Sequence, residues 1–301
     1  MEAPQPLFVQ HPPRRTLALL PLALLSLALM AWGLTPPKAQ KPAQTQESKK
    51  VLTPIGEVRV LSKAEARKAV KALKKGALST RAFSREELRQ RRKKGKGGKA
   101  PPSGSFLRRL EEVEKIQKVQ HESLVPLLSK IIKEDPALAV RSKAAMALLA
   151  QAAGPATKAA EKLLAKVELR KQGSVAAPLL KLLSYYGAKQ SFWNGIYDKF
   201  LDFSAVAQIA ICKSIGKRKD WNGLELLLEH LDAPKPIDKE HADNPPESYW
   251  KMRWEAWQAF KPELIKSLEI LLGKKFTNRE SAEAWIQEQG GVRKLRKQQK
   301  S

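Results

Sequence analysis

From Ser105 to Gly291 the apolar residues recur at spacings of three and four, in short runs divided mostly by Gly, Pro and Asp. That spacing is the helical one, in which residues i, i+3, i+4 and i+7 share a face. Leu124, Leu127, Leu128, Ile131 and Ile132 form one such face. Runs over 105–120, 122–134, 135–154, 155–173, 174–187, 193–202, 204–216, 220–233, 246–273 and 277–291 follow the same rule. No stretch sustains a period of two, so the expected fold is all-α with no sheet. Asp135-Pro136 has the order of an N-cap followed by Pro at the first helical position. Gly154, Gly173, Gly187, Gly216 and Gly273 each follow a periodic run, where a left-handed C-cap residue belongs. Thr277 and Glu280 have capping-box spacing.

Helices this short, joined by short turns, bury little when paired alone, whereas a stack of pairs shares one core. An internal repeat is visible. DPALAVRSKAAMALLAQ superposes on DFSAVAQIAICKSIG with Val140 on Val206, Ala144 on Ala210 and Leu149 on Ile215, an offset of 66 residues. In Asp135-Pro136, Val140-Arg141, Ala144-Ala145 and Leu148 the chain resembles the first helix of the HEAT repeat. Ala205 to Leu231, with Gly216 and Asp220 between its helices, looks like another copy. The tail LLGKKFTNRESAEAW is similar to the end of certain bacterial membrane-anchored or exported HEAT-repeat proteins. The resemblance spans roughly residues 120–289. It departs from the pattern at the aromatics between Tyr185 and Phe203 and at the long loop from Pro234 to Pro246. It implies an armadillo-like α-solenoid of about five helix pairs over 101–289, a scaffold or adaptor for protein partners, and no catalytic residue.

Ahead of the helical region, Thr16 to Leu34 is an uncharged run of 19 residues after Arg14-Arg15. As a helix it would reach ~28 Å, close to the hydrocarbon thickness of a bilayer. A secretory signal would be cut after Ala31-Trp32-Gly33, but the length of the run favours an uncleaved, single-pass transmembrane anchor. Lys38, Lys41, Lys49 and Lys50 on the far flank argue for a cytoplasmic C-terminus by the positive-inside rule. The arginines nearest the apolar run, and the Pro/Gln/Thr spacer TPPKAQKPAQTQ that opens the Pro/Gln/Lys linker over 35–61, argue for a main domain on the non-cytoplasmic side, in the cell envelope, and that orientation is preferred. Cys212 is the one cysteine of the chain, so no intrachain disulfide forms.

The net charge of +26 is concentrated. Residues 49–100 hold 18 Lys/Arg against 4 Glu, more than half of the excess. Within a basic arm over 62–100, Ser62/Glu65 and Ser84/Glu87 are capping-box pairs opening two helical pieces. GKGGKAPPSGS then has the composition of a disordered segment. Arg89, Arg91, Arg92, Lys93 and Lys94 form the densest cluster, a candidate surface for anionic lipid headgroups. The alternatives are a self-repelling spacer and a binder of polyanions or nucleic acid. Nucleic acid is disfavoured because Phe83 is the one aromatic from 49 to 100, leaving bases nothing to stack on.

Two aromatic groups stand out. Trp250, Trp254 and Trp257 follow i, i+4, i+7 with Tyr249 beside them. They suit a partner-binding strip, or else a strip buried against KPELIKSLEILL. The aromatics from Tyr185 to Phe203 read as a bulky, irregular repeat. Asp238, Glu240, His241 and Asp243 could hold a divalent metal, but the surrounding prolines mark an ordinary solvent loop, so no metal or cofactor is expected. His121 and His230 fall near helix ends, as exposed or capping residues. No Ser-His-Asp order, phosphate-binding glycine loop, CxxC or HExxH is present. The expected function is therefore non-enzymatic: a membrane-anchored scaffold for a protein partner.

Overall fold

The computed structural model describes residues 49–77, 104–234 and 246–298. The apolar run over 16–34, the cluster from Arg89 to Lys94 and the acidic loop residues 238–243 lie outside the described residues. Among those described, no helix is long and apolar enough to cross a membrane.

The described chain is mostly helical. After strands β1 (Lys50–Thr53) and β2 (Gly56–Val60) come helices α1 (Lys63–Gly76) and α2 (Gly104–Glu114) and strand β3 (Val119–Gln120). Helices α3 (Val125–Glu134), α4 (Leu138–Leu148), α5 (Ala153–Leu164), α6 (Val167–Arg170) and α7 (Gly173–Tyr186) follow. The chain continues with α8 (Gln190–Tyr197), α9 (Ala205–Arg218), α10 (Leu224–Glu229), α11 (Glu247–Leu272), α12 (Arg279–Glu288) and α13 (Val292–Gln298).

The expectation of no sheet is corrected by the three strands, ordered β1-β2-β3. Residues 50–60, expected within a linker, form an antiparallel hairpin with Val51 opposite Val58. Gly56, at φ +102°, takes a backbone conformation other residues rarely adopt, and the Thr53 hydroxyl donates to its carbonyl at 2.8 Å. β3 adds in parallel to β2, Arg59 opposite Val119. Buried Gln151 holds that strand: its Nε2 donates to the Val119 carbonyl (2.9 Å) and its Oε1 accepts from the His121 N–H (3.1 Å). The strands escape a periodicity search because they are only four, five and two residues long.

α2, α4, α7, α9 and α11 pack each on the next, with α3 against α4, α5 against α7 and α10 against α11. The row has a common register. Val140, Val175, Ala207 and Phe260 hold equivalent places on α4, α7, α9 and α11, and all are buried. One turn on stand Ala144, Leu179, Ile211 and Leu264, and a further turn on Leu148, Leu183, Ile215 and Leu268, again all buried. From Val140 to Ala207 the offset is 67 residues, one more than the expected 66. The expected register would put buried Val140 on Val206, which is 55% exposed.

Capping follows the sequence in part. Ser62 and Glu65 close a full capping box on α1, and Gly187 and Gly273 end α7 and α11 at positive φ. Asp135 is not an N-cap. It ends α3, its Oδ1 accepts from the Ala137 N–H (2.9 Å), and its carboxylate takes two hydrogen bonds from buried Arg109 (2.9 and 3.3 Å). Asn278, not Thr277, caps α12, accepting from the Ser281 N–H at 2.9 Å. Gly154 and Gly173 lie in the first turns of α5 and α7, and Gly216 is inside α9. The α9 C-cap is Lys219, left-handed at φ 48°. Buried Arg170 does the same work for α5, donating to the carbonyls of Leu164 and Ala165 at 2.9 Å each.

The aromatics from Tyr185 to Phe203 are largely core. Trp193, Phe200 and Phe203 are buried, and Tyr197 donates its hydroxyl to Asp220 at 2.7 Å. Burial alone would raise the Asp220 carboxyl. The hydrogen bonds from Tyr197, Gln190 and the Asn222 N–H, together with Arg218, bring it below the ordinary range. The Arg218 guanidinium lies over the Trp193 ring, 4.3 Å from its centroid.

Candidate functional site

α11 begins after Pro246, has Glu247 in its first turn and runs for 26 residues. Its two halves differ. From Phe260 onward it buries Phe260, Leu264, Ser267, Leu268, Leu271 and Leu272, packed on α9. From Glu247 to Ala259 no residue is fully buried. The strip of tryptophans therefore cannot bury itself against KPELIKSLEILL, because both belong to one continuous helix.

A cleft of about 480 Å³ lies along this first half. Tyr249, Trp250, Arg253 and Trp257 form one wall, and Leu201, Phe203, Gln208 and His230 stand opposite. Trp257 is fixed by its indole N–H, which donates to the His230 carbonyl at 3.1 Å. Arg253 is held by rings, 5.7 Å from the centroids of both Tyr249 and Trp250. Three of the four expected aromatics thus meet at one place. Trp254 does not line the cleft and is 45% exposed.

His230 is the C-cap of α10, as a place at a helix end allows, and it is half-buried rather than exposed. The residue follows buried Leu226, Leu227 and Leu228 out of α10, which brings its ring onto Phe200 with centroids 4.8 Å apart; Phe260 meets it edge-on. Burial lowers the imidazole below its ordinary range; Glu229 opposes that effect and Arg253 adds to it.

Two polar atoms in the lining have no hydrogen-bond partner among the described residues: Gln208 Oε1 and Trp250 Nε1. Gln208 is 3% exposed and spends its amide on the Phe200 carbonyl at 3.1 Å, which leaves the oxygen free. An unsatisfied buried acceptor costs about 1–3 kcal/mol. The lining therefore holds one buried acceptor and one buried donor without partners among the described residues, with Glu229 and Asp232 also in it. Gln208 was readable as a polar residue among the inward positions of AVAQIAIC. Arg253 carried no signal, since its partners are the ring faces of Tyr249 and Trp250 and the Tyr249 hydroxyl rather than a carboxylate.

Among the described residues, no group of three His, Cys, Asp or Glu side chains could hold a metal ion. Cys212 is fully buried, and burial pushes its thiol far above the ordinary range, which removes it as a nucleophile. Comparison with protein-family models, curated proteins and solved structures found no match.

Proposed function

We propose that this chain is a non-enzymatic, HEAT-like helical scaffold, tethered to a membrane through residues 16–34, that binds a protein partner at the α11 cleft. The observation that carries the reading is the pair of unpartnered atoms, Gln208 Oε1 and Trp250 Nε1, between Tyr249, Trp250, Arg253 and Trp257. Trp, Tyr and Arg are the residues most enriched where protein interfaces concentrate their binding energy. Both atoms are buried, so a partner's backbone or side-chain amide supplies the missing donor and acceptor by inserting past the aromatic wall. The common register of α4, α7, α9 and α11 supports the repeat reading, because each helix offers its neighbour the same face. The tether rests on the length and apolarity of 16–34, and the preferred placement of the helical domain is outside the cytoplasm.

A photo-crosslinking residue at Met252, which is 63% exposed on α11, tests the cleft in intact cells. The expected result is a discrete protein adduct that disappears in Trp250→Ala and in Gln208→Leu, with none from a crosslinker at Leu138. An adduct unchanged by both cleft variants removes the proposed site. A reporter fused after Ser301 reads the side of the membrane.

A further inference from the structure

At the other end of the helical row, α3 and α5 enclose a second groove of about 540 Å³. Its floor is apolar, from Val125, Pro126, Ala159 and Leu163, and its edges are cationic. Lys130 and Lys133 stand on the α3 side, and Lys158, Lys162 and Lys166 on the α5 side. Glu134, the one carboxylate in the lining, already lies 4.0 Å from Lys130 and 3.5 Å from Lys133. Lys158, Lys162 and Lys166 have no carboxylate partner among the described residues. Lys158 and Lys162 are one turn apart on α5, ~6 Å along its axis, and Lys166 follows just past its end, so three free ammonium groups line one edge.

We propose that this groove docks an acidic amphipathic helix of a partner protein, its apolar face on the floor and its carboxylates between the two lysine edges. Charge complementarity selects an acidic occupant, and the basic stretch from Arg89 to Lys99 of this chain has the wrong sign. The recessed apolar floor selects a helix over a bilayer, because a flat headgroup surface meets the lysine edges and leaves the floor uncovered. An apolar face laid into a hydrophobic groove is a recurrent way of binding a helix. Nucleic acid is disfavoured because no aromatic lines the groove. The same sign continues on α1, where Lys63, Arg67, Lys71 and Lys74 border a neighbouring hollow with His121. This surface is separate from the α11 cleft, and the proposal stands independently of it.

The test is fluorescence anisotropy of the full-length protein with a labelled synthetic helix carrying Leu on one face and Glu elsewhere. The comparators are a poly-Glu peptide of equal charge, phosphatidylglycerol vesicles and single-stranded DNA. The Leu/Glu helix should bind at least about tenfold more tightly than poly-Glu, and rising salt should weaken it. K158E/K162E, two exposed sites whose reversal leaves the core alone, should weaken it by at least about tenfold, and Trp250→Ala should leave it unchanged. Pro126→Glu, which places a carboxylate on the floor, should weaken it as well. Equal binding of poly-Glu, displacement of the helix by the vesicles or the DNA, or indifference to K158E/K162E each overturns the proposal.

Discussion

Gly216 on α9 lies against Ser267 on α11 so closely that a Cβ on the glycine would stand 2.8 Å from Ser267 Oγ and 3.0 Å from its Cα. The two helices that carry the cleft meet at this point, and a backbone atom cannot swing aside as a side chain can. In an exposed helix Gly→Ala gains up to ~1 kcal/mol, whereas overpacking a tight contact costs about 1–3 kcal/mol. Gly216→Ala should therefore destabilise the protein by about 1–2 kcal/mol. Gly154→Ala is the control: it is helical too, and nothing lies within 4 Å of its added Cβ. It should be neutral or stabilising by up to ~1 kcal/mol. Urea denaturation of both variants reads the difference, and equal changes would mean that the α9–α11 approach is looser than described.

Arg109 and Asp135 form the most buried ion pair among those described, with 9% and 2% of their side chains exposed. It joins α2 to the α3–α4 turn through two hydrogen bonds. Removing one charge strands the other, at a cost of about 3–5 kcal/mol. Arg109→Met should show that loss, and Arg109→Met combined with Asp135→Asn should recover part of it, because Asn keeps an acceptor for the Ala137 N–H. Denaturation midpoints of the three proteins decide the matter. A double variant no more stable than Arg109→Met would mean that the lost stability comes from packing of the arginine stem.

The same two residues show why some of this fold was legible and some was not. Residues such as Leu128, Ile131 and Ile132 declare their burial through helical spacing, so helix positions and their inward faces could be read directly. Asp135 has the same local sequence whether it caps α4 or pairs with Arg109, 26 residues away, and only the tertiary partner separates the two. Gly216 likewise reads as a stop until Ser267 supplies the reason for a small residue inside the helix. The hairpin buries Thr53 and Val58 and exposes Lys50, Glu57 and Arg59, but its strands are too short for that alternation to stand out, so its plainest signal was the turn residues Pro54 and Gly56. At the cleft, Trp250 and Trp257 were visible as an aromatic strip. Opposing Gln208 and His230 arrive from α9 and the end of α10, a juxtaposition that periodicity along one helix cannot express.

His230 should make stability depend on pH. Its neutral ring is stacked on Phe200, and burial holds its folded pKa below the unfolded value of ~6.5. The unfolded chain then binds the extra proton first. Stability is complete above about pH 6.5 and falls as pH drops from there towards the lower folded pKa. Glu229, which favours the charged ring, and Arg253, which disfavours it, are the charged groups acting on it. Unfolding free energies measured from about pH 7.5 to pH 5 should decline in the wild type, and His230→Gln should flatten that decline whatever its effect on absolute stability. A slope unchanged in His230→Gln would place the titrating group elsewhere.

Trp254 and Trp257 should separate binding from folding. Trp257 is half-buried, packed against the core, and donates its indole N–H to the His230 carbonyl at 3.1 Å. Trp257→Ala removes that packing and leaves a half-buried carbonyl without its donor, so a loss of about 3 kcal/mol is expected. Trp254 is 45% exposed on the same helix, and Trp254→Ala should stay within about 0.5 kcal/mol of the wild type. Denaturation of the two variants side by side is the measurement. If Trp254→Ala costs as much as Trp257→Ala, the first half of α11 is packed on both sides, and Trp254 is not free to meet a partner. If it costs nothing, an exposed indole remains beside a cleft with two unpartnered polar atoms, and crosslinking from Met252 then has a stable Trp254→Ala variant for comparison.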